Sequence, residues 1–159
     1  LISLYPSGDQ RRTKFYRRIT SSTSTLLKGG SEQFNCTFRS AEFYLTAAEA
    51  AARLGQRSVA EDYLKQLAIK RYNATAYATF VANMATLTDN QLTDEIVNER
   101  TRELAFEGHR WYDLRRTTMP ALTKSYQSDT FQLNTADRRY TMRFPTEAVE
   151  ANPAIEQWP

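Results

Sequence analysis

The chain has 159 residues, 41% of them hydrophobic and 25% charged, with a net charge of +3. That balance fits a globular domain with a core and excludes an intrinsically disordered segment. It also lacks the basic stripe of a nucleic-acid binder, because Arg11-Arg12, Arg17-Arg18 and Arg115-Arg116 are scattered pairs, so we expect no nucleic-acid partner. Cys36 is the only cysteine and His109 the only histidine. The composition therefore excludes an internal disulfide, a CxxC metal site and a metal site built from several histidines, and any Ser-His-Asp triad would have to use His109. No apolar run approaches the length of a membrane span. The sequence opens Leu1-Ile2-Ser3 with no initiator Met and no signal peptide, which reads as a piece of something longer.

Residues 1–37 show no helical period. Stretches such as TKFYRRIT read as short and extended, while SSTST and KGGS read as loops. Asn35-Cys36-Thr37 matches a glycosylation sequon, a pattern too short to carry weight. From Arg39 the composition changes to Ala and Leu without Pro. Tyr44, Ala47, Ala48, Ala51 and Leu54 fall on one helical face, and Gly55 supplies a stop. Ser58-Val59-Ala60-Glu61 reads as a capping box opening a second helix, with Ala60, Tyr63, Leu64, Leu67 and Ala68 as its apolar stripe. Residues 38–72 thus predict an antiparallel helix pair with the phase of a tetratricopeptide unit, whose repeat is about 34 residues. Residues 73–88, rich in Thr and Asn, read as a loop with one helical turn at most. Thr88 to Gln91 is a second capping pattern, and a helix runs from it to about Glu107, where Gly108 ends it and turns the chain. RWYDLRRT then begins another helical segment, so that 88–118 holds two helices. Residues 119–159 read as mostly irregular, with extended pairing around RRYTMRF and a helical turn at TEAVEA closed by Asn152-Pro153. The predicted fold class is mainly α, a tetratricopeptide-like pair plus further helices between irregular terminal segments.

The stretch IVNERTRELAFEGHRWYDLRR, residues 96–116, is overloaded with charge. Glu95, Glu99, Glu103 and Glu107 recur every four residues, and like charges at that spacing repel by roughly 0.2–0.5 kcal/mol per pair. Val97, Leu104 and Trp111, spaced by seven, predict a buried seam with the glutamates lying off it. Cations within the motif offset the repulsion: Glu99 with Arg102, Glu107 with Arg110, Asp113 with Arg116, each at i,i+3. We therefore read Glu99, Arg100, Glu103, Glu107, Arg110, Asp113 and Arg116 as a structural ion-pair motif. Arg suits this role because its planar fork binds carboxylates at two points.

Catalytic readings of the same residues fare worse. A di-iron carboxylate site needs Glu-x-x-His, and Glu107-Gly108-His109 has the wrong spacing and no second His. A glycosidase needs one carboxyl held protonated, whereas carboxylates among this many Arg residues stay ionised. His109 reads as a structural or surface residue. We assign no catalytic residue, no metal and no cofactor.

The 96–116 stretch resembles the signature of SusD/RagB-type proteins, surface nutrient-binding lipoproteins of Bacteroidetes. The signature reads I-x-x-E-R-x-x-E-L-x-F-E-G-x-R-W-x-D-L-x-R. Matching positions are Ile96, Glu99, Arg100, Glu103, Leu104, Phe106, Glu107, Gly108, Arg110, Trp111, Asp113, Leu114 and Arg116. RSAEFYLTAAEAAARLG resembles the family's preceding helix, and RRYTMRFPTEAVEANPAIEQ its terminal segment, although Phe144-Pro145-Thr146 stands where the family has Pro-Ile-Pro. Asp9 and Arg12 fit the family loosely.

The resemblance implies that residues 1–159 are a single C-terminal fragment of a longer, non-enzymatic protein. It implies binding of a glycan, or in some members a peptide, outside the cell. It also implies a SusC-like TonB-dependent transporter in the outer membrane as partner for polysaccharide uptake. Attachment to the membrane would run through a lipidated Cys absent from this chain, which Cys36 does not replace. No ligand-contact residue follows, because the family's contacts lie in variable loops. Trp111 reads as core rather than as a sugar platform, and Trp158 as a packed or frayed tail. A different class stays open: a helical-repeat module that binds only proteins, through a groove lined by Tyr44 and Tyr63.

Overall fold

The alanine-rich stretch after Arg39 forms a helical hairpin in the computed structural model, which describes residues 1–20, 23–28 and 39–157. Cys36, the Asn35-Cys36-Thr37 sequon, Trp158 and parts of the SSTST and KGGS stretches lie outside the described residues. After a 3-10 turn at Ile2–Leu4 come α1 (Arg11–Phe15) and an antiparallel pair, β1 (Tyr16–Arg18) with β2 (Ser24–Leu26). Next are α2 (Ser40–Arg53), α3 (Arg57–Ala68), α4 (Ala74–Thr86) and α5 (Asp89–Glu103). The fold is mainly α, as the sequence predicts. The chain forms two compact units, Leu1–Glu107 and Gly108–Pro159.

Small residues let α2 and α3 approach closely. Ala41, Leu45, Ala48 and Ala51 of α2 meet Ala60, Leu64 and Leu67 of α3, and Met84, Leu92 and Ile96 complete one core. Burying a Leu or Ile side chain fully contributes about 1.5–3 kcal/mol, so Leu45, Leu64 and Ile96 dominate the apolar term. The α3 stripe falls as predicted, with Tyr63 half-buried. The α2 stripe is shifted: Leu45 is fully buried, while Leu54 is exposed. Leu54 leaves the stripe because α2 ends before it. The Gly55 N–H donates to the Ala52 carbonyl at 3.1 Å and the Gln56 N–H to the Ala51 carbonyl at 2.9 Å, a paired closure that turns the chain away.

Two local expectations give way to stronger contacts. The Ser58–Glu61 capping box does not form; α3 begins two residues earlier than that box implies, at Arg57, without a side-chain cap. Glu61 instead accepts from Arg57 at 2.8 Å and Lys65 at 3.4 Å, both one helical turn away. Residues 74–86, read as a loop, form the thirteen-residue helix α4. Asn73 caps it by accepting the Ala76 N–H at 2.9 Å, and Met84 and Phe80 tie it to the core. Tertiary packing overrides the weak propensity of its Thr and Asn residues. The predicted box at the start of α5 does form, with Gln91 N–H to Thr88 Oγ1 at 3.3 Å and Thr88 N–H to Gln91 Oε1 at 2.9 Å.

Residues 8–10 zip onto the α3–α4 connection. The Gln10 N–H donates to the Arg71 carbonyl at 2.9 Å and the Asn73 N–H to the Gly8 carbonyl at 3.0 Å. Gly8 has φ +83, and a Cβ built there would sit 2.6 Å from the Cβ of Ala76. Only glycine permits this approach.

Helix α5 stops at Glu103, four residues short of the predicted end, and Phe106 already has φ +66. Gly108 does adopt the left-handed conformation, φ +81, as the residue before α6 (His109–Arg116). In this second unit Trp111 stacks on Tyr140, with ring centroids 4.8 Å apart, and the Tyr140 hydroxyl donates to the Pro120 carbonyl at 2.6 Å. The extended pairing predicted at RRYTMRF is absent from that stretch; Arg138–Tyr140 is a 3-10 turn. The hairpin lies earlier, β3 (Leu122–Tyr126) with β4 (Asp129–Leu133). Its turn carries no glycine, and Gln127 takes φ +53 instead, so the usual sequence signal is missing. Helix α7 (Thr146–Ala151) forms where expected, ending at Asn152. Beyond it, the Gln157 amide pairs with both backbone groups of Phe144, at 3.0 and 2.8 Å.

These backbone geometries order two substitutions. Gly108→Ala should cost about 1–2 kcal/mol, the left-handed penalty for an L-residue, because a Cβ there meets nothing within 4 Å. Gly8→Ala should cost clearly more, since the same strain is joined by the clash with Ala76. Chemical denaturation checks both; a gain in stability for Gly108→Ala contradicts the assignment.

Candidate functional site

Helix α5 turns its glutamates inward. Glu99 and Glu103 are both 0% exposed, while Val97, expected in the seam, is only half-buried. The predicted seam fails because the helix ends at Glu103 and does not carry its direction on to Trp111. The glutamates can occupy the buried face because cations reach them from distant segments, which spacing inside the motif does not reveal.

Arg11 is the hub. Its Nη1 donates to Glu99 Oε1 at 2.6 Å and Glu103 Oε2 at 2.9 Å, and its Nη2 to Asp9 Oδ2 at 2.7 Å. Its side chain is almost fully buried, whereas Arg12, the residue that fits the family loosely, is exposed. Glu99 also accepts from Arg102 Nε at 2.9 Å, the pairing predicted from i,i+3 spacing, and from the Tyr72 hydroxyl at 3.1 Å. Arg102 continues to Glu95. Arg71 grips Glu103 with two bonds of 2.8 Å, and Arg39 adds a third at 3.0 Å. Glu107, expected to meet Arg110, is bound by Arg39 at 2.7 Å and Lys28 at 2.5 Å. Arg100 reaches Glu42 of α2 at 3.2 Å. In the second unit Asp113 and Arg116 pair at 2.9 Å, as predicted.

Electrostatics follow from this packing. Burial pushes the Glu103 carboxyl up, but hydrogen bonds and charge from Arg71, with the charges of Arg11 and Arg39, outweigh it and bring it down to about 2. Glu99 is likewise held below the usual range: burial opposes ionisation, and Arg11 and Arg102 overcome it. Tyr72 is pushed up, chiefly by burial and then by the charge of Glu99. Both carboxylates are therefore fixed anions, poor proton donors at neutral pH.

Beside the cluster lies a half-open cleft of about 720 Å³. One wall is the N-terminal segment Ser3–Gly8, the other is α4 with Phe80, Asn83 and Met84, and Tyr72, Glu95 and Arg102 also line it. The Tyr72 ring stacks on Phe80 at 5.2 Å, so one tyrosine joins cleft and cluster. Tyr44 and Tyr63, expected to line a protein-binding groove, pack edge-to-face on each other at 6.0 Å. Among the described residues, no group of three or more His, Cys, Asp or Glu side chains is placed to hold a metal ion.

The family model described as the SusD family matches residues 6–159, nearly the whole chain. The chain belongs to the SusD family. It is also similar to a SusD-like protein of Formosa agariphila, 36% identical over 81 residues. That match covers 50% of this chain and 16% of the relative's length. Of the signature positions matched to SusD, Glu99, Arg100, Glu103 and Leu104 are buried at the end of α5, and Asp113 and Leu114 are buried in α6. Phe106 and Arg110 are exposed, and Trp111 is half-buried. Sequence reasoning missed Arg11, Lys28, Arg39, Arg71 and Tyr72 and touched Asp9 only through the family's loose fit. One available signal was the excess of carboxylate in 95–107 over the cations close enough to meet it.

Since Glu103 is fully buried, Glu103→Ala should cost about 3–5 kcal/mol, the penalty for leaving buried cations unpaired, rather than the loss under about 1 kcal/mol of an exposed pair. Thermal unfolding of the variant reads this. Acid should expose the same contact. Glu103 has a folded-state value of about 2 against an ordinary 4.5, so its contribution is complete above the unfolded value and is lost as pH falls from about 4.5 through about 2. The size is about 3 kcal/mol, from the shift alone. Denaturation across that window should show the loss in the native chain and a smaller one in Glu103→Ala.

Proposed function

We propose that this chain is part of a non-catalytic, extracellular nutrient-binding protein that captures a glycan, or a peptide, for a SusC-like TonB-dependent transporter. The observation carrying this reading is the SusD-family match over residues 6–159. The geometry of its signature is compatible with a binding role. The carboxylates that could have served as acid and base are each held by two or more cations and stay ionised. A glycosidase needs one of its pair protonated. In this reading Glu99, Arg100, Glu103, Glu107, Arg110, Asp113 and Arg116 form scaffold, and ligand contacts lie elsewhere.

Among the described residues no helix is long and apolar enough to cross a membrane. In the proposed arrangement the longer protein is held at the outer face of the outer membrane by a lipid anchor, and the transporter sits beneath it.

The purified chain should release no reducing ends from oligosaccharides and no new amines from peptides, while calorimetry with the same compounds registers binding. Turnover that disappears in Glu103→Gln would contradict the reading, since it would give the cluster a chemical role.

A further inference from the structure

The positive charge of the chain is concentrated in one segment. Residues 10–28 carry six Lys and Arg side chains and no carboxylate, whereas the rest of the sequence carries fifteen cations against eighteen carboxylates. The net charge of +3 therefore comes from α1 and the β1–β2 hairpin. Two of the six cations are taken up inside the unit, Arg11 by Asp9 and the α5 glutamates, and Lys28 by Glu107. The other four, Arg12, Lys14, Arg17 and Arg18, are exposed, and none of them has an ion-pair partner among the described residues. Exposed cations elsewhere do find carboxylates, as Arg53 does at Glu49 and Arg139 at Asp137. From Arg12 to Arg18 the backbone takes three helical and three extended steps, roughly 15 Å in all, so the four charges form one patch.

Aliphatic side chains stand among these cations. Ile19, directly after Arg18, is 60% exposed, and Leu26 and Leu27 are 40% and 41% exposed. Arg18 Nε donates to the Thr20 carbonyl at 3.0 Å, which keeps the guanidinium beside Ile19. The Leu27 N–H donates to the Phe15 carbonyl at 2.8 Å, which holds Leu27 beside the end of α1. Of the described residues between Arg17 and Leu27, all but Thr25 are exposed, so the hairpin projects and lines no groove.

Each feature narrows the partner. Four unpaired cations call for an anionic surface. Nucleic-acid bases would find no stacking platform, because Phe15 lies under the Lys28 ammonium at 4.4 Å and Tyr16 is buried against Tyr5. An acidic protein would have to bring an apolar pocket shaped to a projecting hairpin. A lipid headgroup layer supplies phosphates and an apolar boundary in one surface. We propose that α1 and the β1–β2 hairpin form a peripheral membrane-contact site. Arg12, Lys14, Arg17 and Arg18 meet headgroup phosphates of an anionic lipid surface, and Ile19, Leu26 and Leu27 reach the headgroup–acyl boundary. The proposal stands on the chemistry of this segment and is independent of the nutrient-binding reading.

Co-sedimentation of the full chain with vesicles tests it. One set is phosphatidylcholine alone, the other phosphatidylcholine with about one-third phosphatidylglycerol. The chain should bind the anionic vesicles only, and raising NaCl from about 50 to about 500 mM should release it, because salt screens exposed charges. A cation at an anionic surface contributes about fivefold in affinity. Arg17→Gln combined with Arg18→Gln should therefore weaken binding by at least about tenfold. Arg12→Gln combined with Lys14→Gln should do the same, which separates loss of charge from a local defect in the hairpin. Ile19→Ser should weaken binding without altering its salt dependence. Lys124→Gln, on the exposed hairpin of the second unit, should change nothing. Denaturation midpoints of the variants should match the native chain. Absence of vesicle binding, equal binding to both vesicle sets, or anionic-vesicle binding that survives both double variants overturns the proposal. Native-like binding by Ile19→Ser overturns the insertion of the aliphatic side chains. Tighter binding to polyglutamate or to a DNA duplex than to the anionic vesicles overturns the assignment to lipid.

Discussion

Two carboxylates with no exposed surface must be met by cations, and residues 1–107 are arranged around that requirement. An isolated buried carboxylate would protonate or force the helix to turn it out to water. Glu99 and Glu103 do neither, because Arg102 of the same helix and Arg11, Arg71 and Arg39 from three other parts of the chain converge on them. The guanidinium group suits this geometry because its donors are planar and spread, so Arg11 alone bridges Asp9, Glu99 and Glu103. Once α5 presents those carboxylates inward, the N-terminal segment, the α3–α4 connection and the residue before α2 are each tied to it. Buried ion pairs of this kind add little net stability over an apolar core, but they tolerate few alternative arrangements. Their effect in this chain is to fix which segments meet.

The same contacts tie the buried cluster to the cleft beside it. Carboxylates held as anions have no proton to give, so Glu99 and Glu103 are poor general acids at neutral pH. Two members of the cluster nevertheless reach the cleft. Tyr72 donates to Glu99 through its hydroxyl while its ring stacks on Phe80, and Arg102 spans Glu99 and the lining residue Glu95. The SusD-family signature thus lies next to the cleft and is linked to it through Tyr72 and Arg102.

Features set by local chemistry were legible in the sequence. The α3 stripe, the Thr88–Gln91 capping box, the stop at Gly55 and the left-handed Gly108 each depend on a few adjacent residues. Those decided at long range were not. The sequence places Glu99 and Glu103 on one helical face but does not say which face is buried, because the deciding partners lie about ninety residues away at Arg11 and some thirty away at Arg71. Helix α4 was hidden by its Thr and Asn residues, and it depends on Phe80 and Met84 reaching the core. Leu54 shows the converse error, where a periodic pattern was read one residue past the helix end. Charge spacing picked out 95–116 as an ion-pair motif, but neither it nor the family resemblance gave a position for the cleft, whose walls come from the first eight residues and from α4.

The central claim is that Arg11 and the α5 glutamates are energetically one unit, and a double-mutant cycle measures it directly. Arg11→Met, Glu99→Gln and the double variant, unfolded in denaturant beside the native chain, give the coupling free energy. Residues sharing a buried network couple by about 0.5–3 kcal/mol, and contacts as short as these predict the upper half of that range, with the double variant far less destabilised than the sum of the singles. Strict additivity would show that Arg11 and Glu99 contribute independently, and would contradict the claim that Arg11 is the hub of a single buried network.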